Sequence, residues 1–196
     1  MIVLASASRA RRRILDGAGV DFRVEPATLD ERAVKLDARR DGRTAGECAA
    51  LLAEAKALEV ARRHPDALVI GADQMLECDG EWFDKPRSMD DARHQLVRLR
   101  GRTHTLHAAI AAARGGTVRW RHVEPSHLAM RRFGDAFIDA YIAAMGEAIC
   151  DTVGGYELEG RGAQLFEHVA GDHFAIQGLP LLPLLSFLRR EGALAS

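Results

Sequence analysis

The residues with the most to offer chemically lie between Leu68 and Pro86, in the stretch LVIGADQMLECDGEWFDKP. Its apolar opening, Leu68-Val69-Ile70, is the kind of run that fills a buried strand. The run stops at Gly71-Ala72-Asp73, which delivers a carboxylate to the edge of a sheet, where open α/β sheets place their ligands. Asp79-Gly80 is a tight-turn pair, so Met75–Glu77 and Glu81–Phe83 are expected to form a short hairpin ending in Asp84-Lys85-Pro86. One hairpin then returns an ammonium, Lys85, to the same rim as Asp73. A carboxylate that can hold a metal or activate water, beside a cation that can hold phosphate, suits phosphoanhydride chemistry. An ordinary strand-turn-strand with exposed charges fits this stretch alone equally well.

Three other places carry reactive types. Ile2–Ala5 reads as a first buried strand that runs through Ser6-Ala7-Ser8 into a helix from Arg9 to Gly19, with Ser8 as N-cap. Helix starts of this kind bind anions, and Arg9, Arg11, Arg12 and Arg13 crowd the same turn, where guanidinium groups strengthen phosphate binding; a solvated basic helix face is the plain alternative. Asp30-Glu31, in a polar loop ahead of a charged segment to Gly42, offers a metal ligand or only a surface acidic pair. Thr44 to Arg63 reads as a helix, opened by a capping box of Thr44 and Glu47 and closed by Pro65. Leu51, Leu52, Ala55 and Leu58 share one arc of it. Lys56 lies away from that arc, near Ala49, Ala53 and Val60, and is either a partly buried, directed ammonium or a lysine along the helix flank.

Other features exclude more than they offer. His104 and His107 face opposite sides of a strand and cannot be a metal pair. Arg119-Trp120-Arg121 resembles a nucleic-acid patch, but a formal net charge of -1 gives the chain no basic field. The Gly-rich stretch Val153–Gly162, with Glu157 and Glu159, is neither a P-loop nor a dinucleotide fingerprint. Three cysteines without a C-x-x-C signal neither a disulfide framework nor zinc. Met1–Ser6 lacks the features of a signal peptide, and the apolar tract Leu179–Leu188 is short and interrupted by Pro183. A cytoplasmic, membrane-free protein is expected.

The elements that must position these groups follow from pattern. Phe22–Glu25 alternates like a strand ended by Pro26. Met89–Arg100 reads as a helix with Asp90 and Asp91 in its first turn. Thr103–Ala113 and Thr117–Met130 read as strands joined at Gly115-Gly116. Gly134–Met145 reads as an amphipathic helix and Gln164–Val169 as a strand. A last helix starts at Leu179-Pro180 and runs to about Arg190, with Leu181, Leu184, Leu185 and Leu188 as its core stripe. The 196 residues, 47% apolar and 28% charged, suit one soluble α/β domain over residues 1–196. The expected architecture is a mixed, twisted sheet bent around a central cleft, with flanking helices.

In order and spacing these landmarks resemble the Maf family of nucleoside triphosphate pyrophosphatases along essentially the whole chain. The family's L-A-S-x-S strand is Leu4-Ala5-Ser6-Ala7-Ser8, followed by Arg9-Ala10-Arg11-Arg12. Its D-E pair is Asp30-Glu31, its helical lysine is Lys56, and its G-A-D is Gly71-Ala72-Asp73. Its K-P is Lys85-Pro86, its G-R-T-H is Gly101-Arg102-Thr103-His104, and its closing G-L-P-L is Gly178-Leu179-Pro180-Leu181. The resemblance implies hydrolysis of a nucleotide to its monophosphate and pyrophosphate between two lobes, with a divalent cation, Mg²⁺ or alternatively Mn²⁺ or Co²⁺. It implies Asp73 as general base, with Arg11, Lys56 and Lys85 on the triphosphate and Glu31, with Asp73, at the metal. Ser6, Ser8, Arg12 and Thr103 are implied at the substrate, and a homodimer is implied as the assembly.

Three positions divide the family by base. They are arginine, threonine and glutamine in the dTTP/UTP branch, and tryptophan, glutamine and glutamate in the 7-methyl-GTP branch. Here they are Ala10, Gln74 and Glu159. A carboxylate at Glu159 can accept from the N1–H and amino group of a guanine-type base, whereas Ala10 lacks the aromatic surface that would stack on a cationic ring. The expected substrate is therefore 7-methyl-GTP, with dTTP, UTP or modified pyrimidine nucleotides as the alternative. A non-catalytic nucleotide- or nucleic-acid-binding regulator of cell division is the alternative from another class.

Overall fold

In the computed structural model, which describes residues 1–195, the strand pattern is realised with one change that matters for the chemistry. The elements are β1 (Ile2–Leu4), α1 (Arg9–Gly17), β2 (Phe22–Val24), α2 (Glu31–Arg40), α3 (Ala45–Arg63), β3 (Leu68–Cys78) and β4 (Glu81–Phe83). They continue with α4 (Met89–Leu99), β5 (Thr103–Arg114), β6 (Thr117–Met130), α5 (Asp135–Met145), β7 (Phe166–Ala170), α6 (His173–Ile176) and α7 (Leu181–Arg190). The seven strands form one mixed sheet in the order β2-β1-β3-β5-β6-β7, with β4 added beside β3. β1 pairs parallel with both β2 and β3, and β3 with β4 and β6 with β7 are antiparallel.

The change concerns β3. The apolar run does not stop at Gly71-Ala72-Asp73; it continues as one strand to Cys78, because Ala72, Met75 and Leu76 keep it apolar and buried. The hairpin with β4 forms in the register Leu76↔Phe83, Glu77↔Trp82 and Cys78↔Glu81, turning on Asp79 and Gly80 with φ of 51° and 80°. Asp73 is thus mid-strand. It still stands beyond the carboxyl end of β1, which pairs with β3 only from Leu68 to Ile70.

Residues 1–74, 108–124 and 172–195 make one compact unit, and residues 75–107 and 125–171 a second. The first holds a core of Ile2, Leu4, Leu15, Leu68, Ile70, Ile110, Leu179, Leu184, Phe187 and Leu188. Trp120 of β6 stacks on Phe187 with ring centroids 4.8 Å apart. The second unit contains α4, which begins at a Ser88 cap with Asp90 and Asp91 in its first turn as expected, and α5, followed by short 3₁₀ turns through the Gly-rich stretch. No helix among the described residues is long and apolar enough to cross a membrane.

Two helices depart from expectation. Glu31 lies not in a loop but at the start of α2, which takes up the charged segment to which no element was assigned; Asp30 caps it, its Oδ1 accepting the Ala33 N–H at 3.0 Å. The four-residue α6, capped by Asp172, gave no periodic signal at all.

Candidate functional site

The site in the first unit begins with a glycine. An added Cβ on Gly71 would lie 2.1 Å from the Ala53 carbonyl oxygen and 2.6 Å from the Ala57 nitrogen, so β3 and the backbone of α3 are in direct contact there. Only a side chain of hydrogen permits that approach. It also decides which face of α3 is buried. The arc of Leu51, Leu52, Ala55 and Leu58 is not the core face: Leu51 is exposed, whereas Cys48, Ala49, Leu52, Ala53, Ala57 and Val60 are covered. Small alanines beat leucines because the sheet comes so close.

Lys56 is carried on this alanine face. It is the directed, buried ammonium, and its Nζ lies 2.6 Å from Asp73 Oδ1 and 2.8 Å from Glu31 Oε1. Asp73 is 6% exposed, while Glu31 at the start of α2 is half open to solvent. Two carboxylates held on one ammonium form a cluster of short charge-assisted contacts, which offset the cost of taking Lys56 and Asp73 out of water. Burial by itself would raise the Glu31 carboxyl, but its hydrogen bond to Lys56 and the charges of Lys56, Lys35 and Arg11 bring it below the ordinary carboxylate range.

Arg11 parts company with the other arginines of α1. It is buried, donating from Nε to Gly178 O at 2.9 Å and from Nη1 to Ser6 Oγ at 3.1 Å and Ala72 O at 2.9 Å. Its guanidinium is lowered from its usual value by burial, against the raising charges of Asp73 and Glu31. Arg12 is exposed. Ser8 is the N-cap foreseen, its Oγ accepting the Arg11 N–H, and Ser6 Oγ accepts the Ser8 N–H at 3.3 Å. Gln74 donates through Nε2 to Ala175 O and Ile176 O at 3.1 and 3.0 Å, which leaves its carbonyl oxygen as the group it can offer a ligand. Ala10 is half-buried.

The remaining expected residues belong to the second unit. Lys85 is exposed just after β4, Thr103 is exposed at the start of β5 with its carbonyl 3.7 Å from Cys78 Sγ, and Glu159 is exposed in a turn of the Gly-rich stretch. His104 turns inward, opposite to Thr103, and its Nε2 is hydrogen-bonded to the Tyr156 hydroxyl at 2.6 Å. Burial pushes this imidazole down to about 4.

Sequence reasoning missed Lys35, whose charge acts on Glu31 from one turn further along α2; the spacing of four was its available signal. It also missed the carbonyls of Ala175, Ile176 and Gly178, which no side-chain pattern encodes. Gly178, with φ of 94°, has a backbone conformation that favours glycine.

Fold and site together define an α/β protein with paired carboxylates and buried cations past the carboxyl end of a parallel strand. The sequence signature described as Maf-like protein matches residues 1–191, and the chain belongs to the Maf family. It is 49% identical over 193 residues to a nucleoside triphosphate pyrophosphatase of Granulibacter bethesdensis, covering 98% of each chain. It is 51% identical over 192 residues to a protein of the same description from Paramagnetospirillum magneticum, covering 98% of this chain and 99% of that one. To a 7-methyl-GTP pyrophosphatase of Brucella abortus it is 47% identical over 190 residues, covering 97% and 96%.

Proposed function

We propose that this protein hydrolyses 7-methyl-GTP to the monophosphate and pyrophosphate. The enzyme class follows from family membership: it is a pyrophosphate-releasing hydrolase, as its relatives are named. The observation that carries the mechanism is Lys56 held between Asp73 and Glu31. Lys56 fixes Asp73 through Oδ1, and the carboxylate takes the proton of a water that attacks the α-phosphorus, displacing pyrophosphate. Arg11 and Lys56 neutralise the triphosphate, assisted by Ser6, Ser8 and Arg12; Lys85 and Thr103, in the second unit, are the remaining candidates for substrate contact.

A divalent cation, Mg²⁺ first, would be held by Glu31 and Asp73, the two carboxylates that Lys56 brings together. Glu31 and Asp73 already converge on one cationic group. Among the described residues no group of three or more His, Cys, Asp or Glu is placed to hold a metal ion, so the protein would offer the ion this pair alone. Such an open pair suits Mg²⁺, which takes one or two carboxylates and completes its shell with phosphate and water. When bound it would supply charge neutralisation on the phosphates.

For the base, the Gln74 carbonyl oxygen is an acceptor that matches an N–H donor of a guanine-type ring, Glu159 is the carboxylate proposed for the same recognition, and the Brucella relative bears the name of that substrate. On this reading the protein acts on a small-molecule nucleotide in the cytoplasm as a homodimer; light scattering on the purified protein checks the assembly.

Product analysis on 7-methyl-GTP, GTP, UTP, CTP, dTTP and modified pyrimidine triphosphates, with Mg²⁺ or Mn²⁺, tests the proposal. Pyrophosphate release led by 7-methyl-GTP is expected, with Asp73→Asn slower by about a thousandfold. Release led by a pyrimidine would overturn the base assignment and make Ala10 the deciding position. Undiminished turnover in Asp73→Asn would remove Asp73 from its role.

A further inference from the structure

α3 turns a row of polar side chains, Lys56, Glu59 and Arg63, toward the segment that leads into α2. Separations of three and four residues place them on one helix face. Each meets one point of the residues 25–31. Lys56 Nζ is 2.8 Å from Glu31 Oε1. Glu59 Oε2 accepts the Thr28 backbone N–H at 3.3 Å. Arg63 Nη1 donates to Glu25, and its Nη2 donates to Glu59 Oε2 at 2.9 Å. His64, next along, meets the other Glu25 oxygen. The order is antiparallel, so the segment lies along α3 like a strap with three rungs.

Nothing regular holds that strap. Residues 25–30 belong to no strand or helix. The Glu25 N–H bonded to Leu4 O at 3.0 Å is the last pairing of the β2 end, and Pro26 has no N–H to continue it. At the far end Asp30 caps α2, and Glu31 is the first helical residue. Where Glu31 arrives therefore depends on rungs that lie outside the carboxylate cluster.

We propose that Glu59 and Arg63 are positioning residues for Glu31: by gripping Thr28 and Glu25 they set the carboxylate of Glu31 on Lys56, and so tune the affinity of the site for a divalent cation. Neither touches the reacting atoms. The proposal rests on the reading of Glu31 as a metal-holding carboxylate.

The test is Mn²⁺ binding to the purified protein, read by the electron paramagnetic resonance of free Mn²⁺, on wild type, Arg63→Met, Glu59→Gln, Glu31→Gln and the pairings of each strap variant with Glu31→Gln. Half-exposed ion pairs are individually weak, so Arg63→Met and Glu59→Gln are expected to weaken Mn²⁺ binding about three- to fivefold. Turnover at saturating Mn²⁺ stays near wild type, and Arg63→Lys recovers much of the loss. The deciding result is non-additivity: in the Glu31→Gln background, Arg63→Met has no further effect, as coupling through Glu31 requires. Equal losses in both backgrounds, or wild-type binding in the strap variants while Glu31→Gln binds poorly, would overturn the proposal and leave the role of Glu31 intact. No Mn²⁺ bound by wild type, or no loss in Glu31→Gln, would overturn the role of Glu31 and this inference with it. Thermal melts of each variant separate a lost position from a lost fold.

Discussion

The two compact units each bury a polar cluster, and they solve the problem of burial in opposite ways. In the first, Asp73, Lys56 and Arg11 are buried as charges, and the cost of taking them out of water is offset by direct contact between opposite signs and by carbonyl acceptors. In the second, His104 and Tyr156 are buried as neutral groups. Their rings lie 5.6 Å apart, Phe166 packs against both, and the imidazole is held neutral by desolvation. Tyr141 donates its hydroxyl to Gly155 O at 3.1 Å beside them, again without a charge. A cluster that keeps its charges retains groups able to bind phosphate and move protons. A cluster of neutral groups buried in this way holds its hydrogen bonds and ring contacts without bringing a charge into the interior.

The contrast can be broken or sharpened experimentally. The largest effect is expected from Lys56→Met, which strands the Asp73 carboxylate in a buried site; it should cost about 3–5 kcal/mol of stability in urea unfolding, and turnover should fall with it. Retention of full stability would mean that Asp73 is not held as a charge.

The next effect is on pH. The folded state holds His104 near 4, below its ordinary value of 6.5. Between these values the unfolded chain binds the proton and the folded one does not, so stability rises with pH across that window. The contribution is complete above about 6.5 and is lost as pH falls towards 4, on the order of 3 kcal/mol in all. Urea melts of wild type and His104→Gln at pH 4.5, 5.5 and 7 should show a difference that shrinks as the pH drops. A constant difference would mean that His104 is not buried as a neutral ring.

Tyr156→Phe removes the hydroxyl partner of His104 Nε2, whose Nδ1 has no partner among the described residues. A loss of about 1–3 kcal/mol is expected, with kcat unchanged for a cluster that only braces. The smallest effect belongs to the surface: Arg121 pairs with Glu54 at 3.0 Å, and Arg121→Ala should shift stability by less than about 1 kcal/mol without altering turnover. Salt-dependent DNA binding lost in that variant would revive the basic-patch reading.

Local chemistry was legible in the chain. The Ser8 cap, the Thr44–Glu47 capping box and the turns at Asp79-Gly80 and Gly115-Gly116 were all readable, because each is settled by residues within four positions of one another. Lys56 and Asp73 were recognisable as reactive types, and the order of motifs along the chain announced the family. Their meeting was not readable. It depends on Gly71, which reads in sequence as the end of a strand and serves in the structure as the seat for the backbone of α3. The same close approach chose an alanine face over a leucine arc for burial. By spacing alone Arg11 was not separable from Arg9, Arg12 and Arg13 in the same turn; the Gly178 and Ala72 carbonyls give it an interior address. A sequence displays side-chain types and their periodicity, and so determines caps, turns and candidate chemistry. Which face is covered, and which carbonyl a buried cation finds, is decided by contacts between segments far apart in the chain, where backbone groups alike in every residue become distinct only by position.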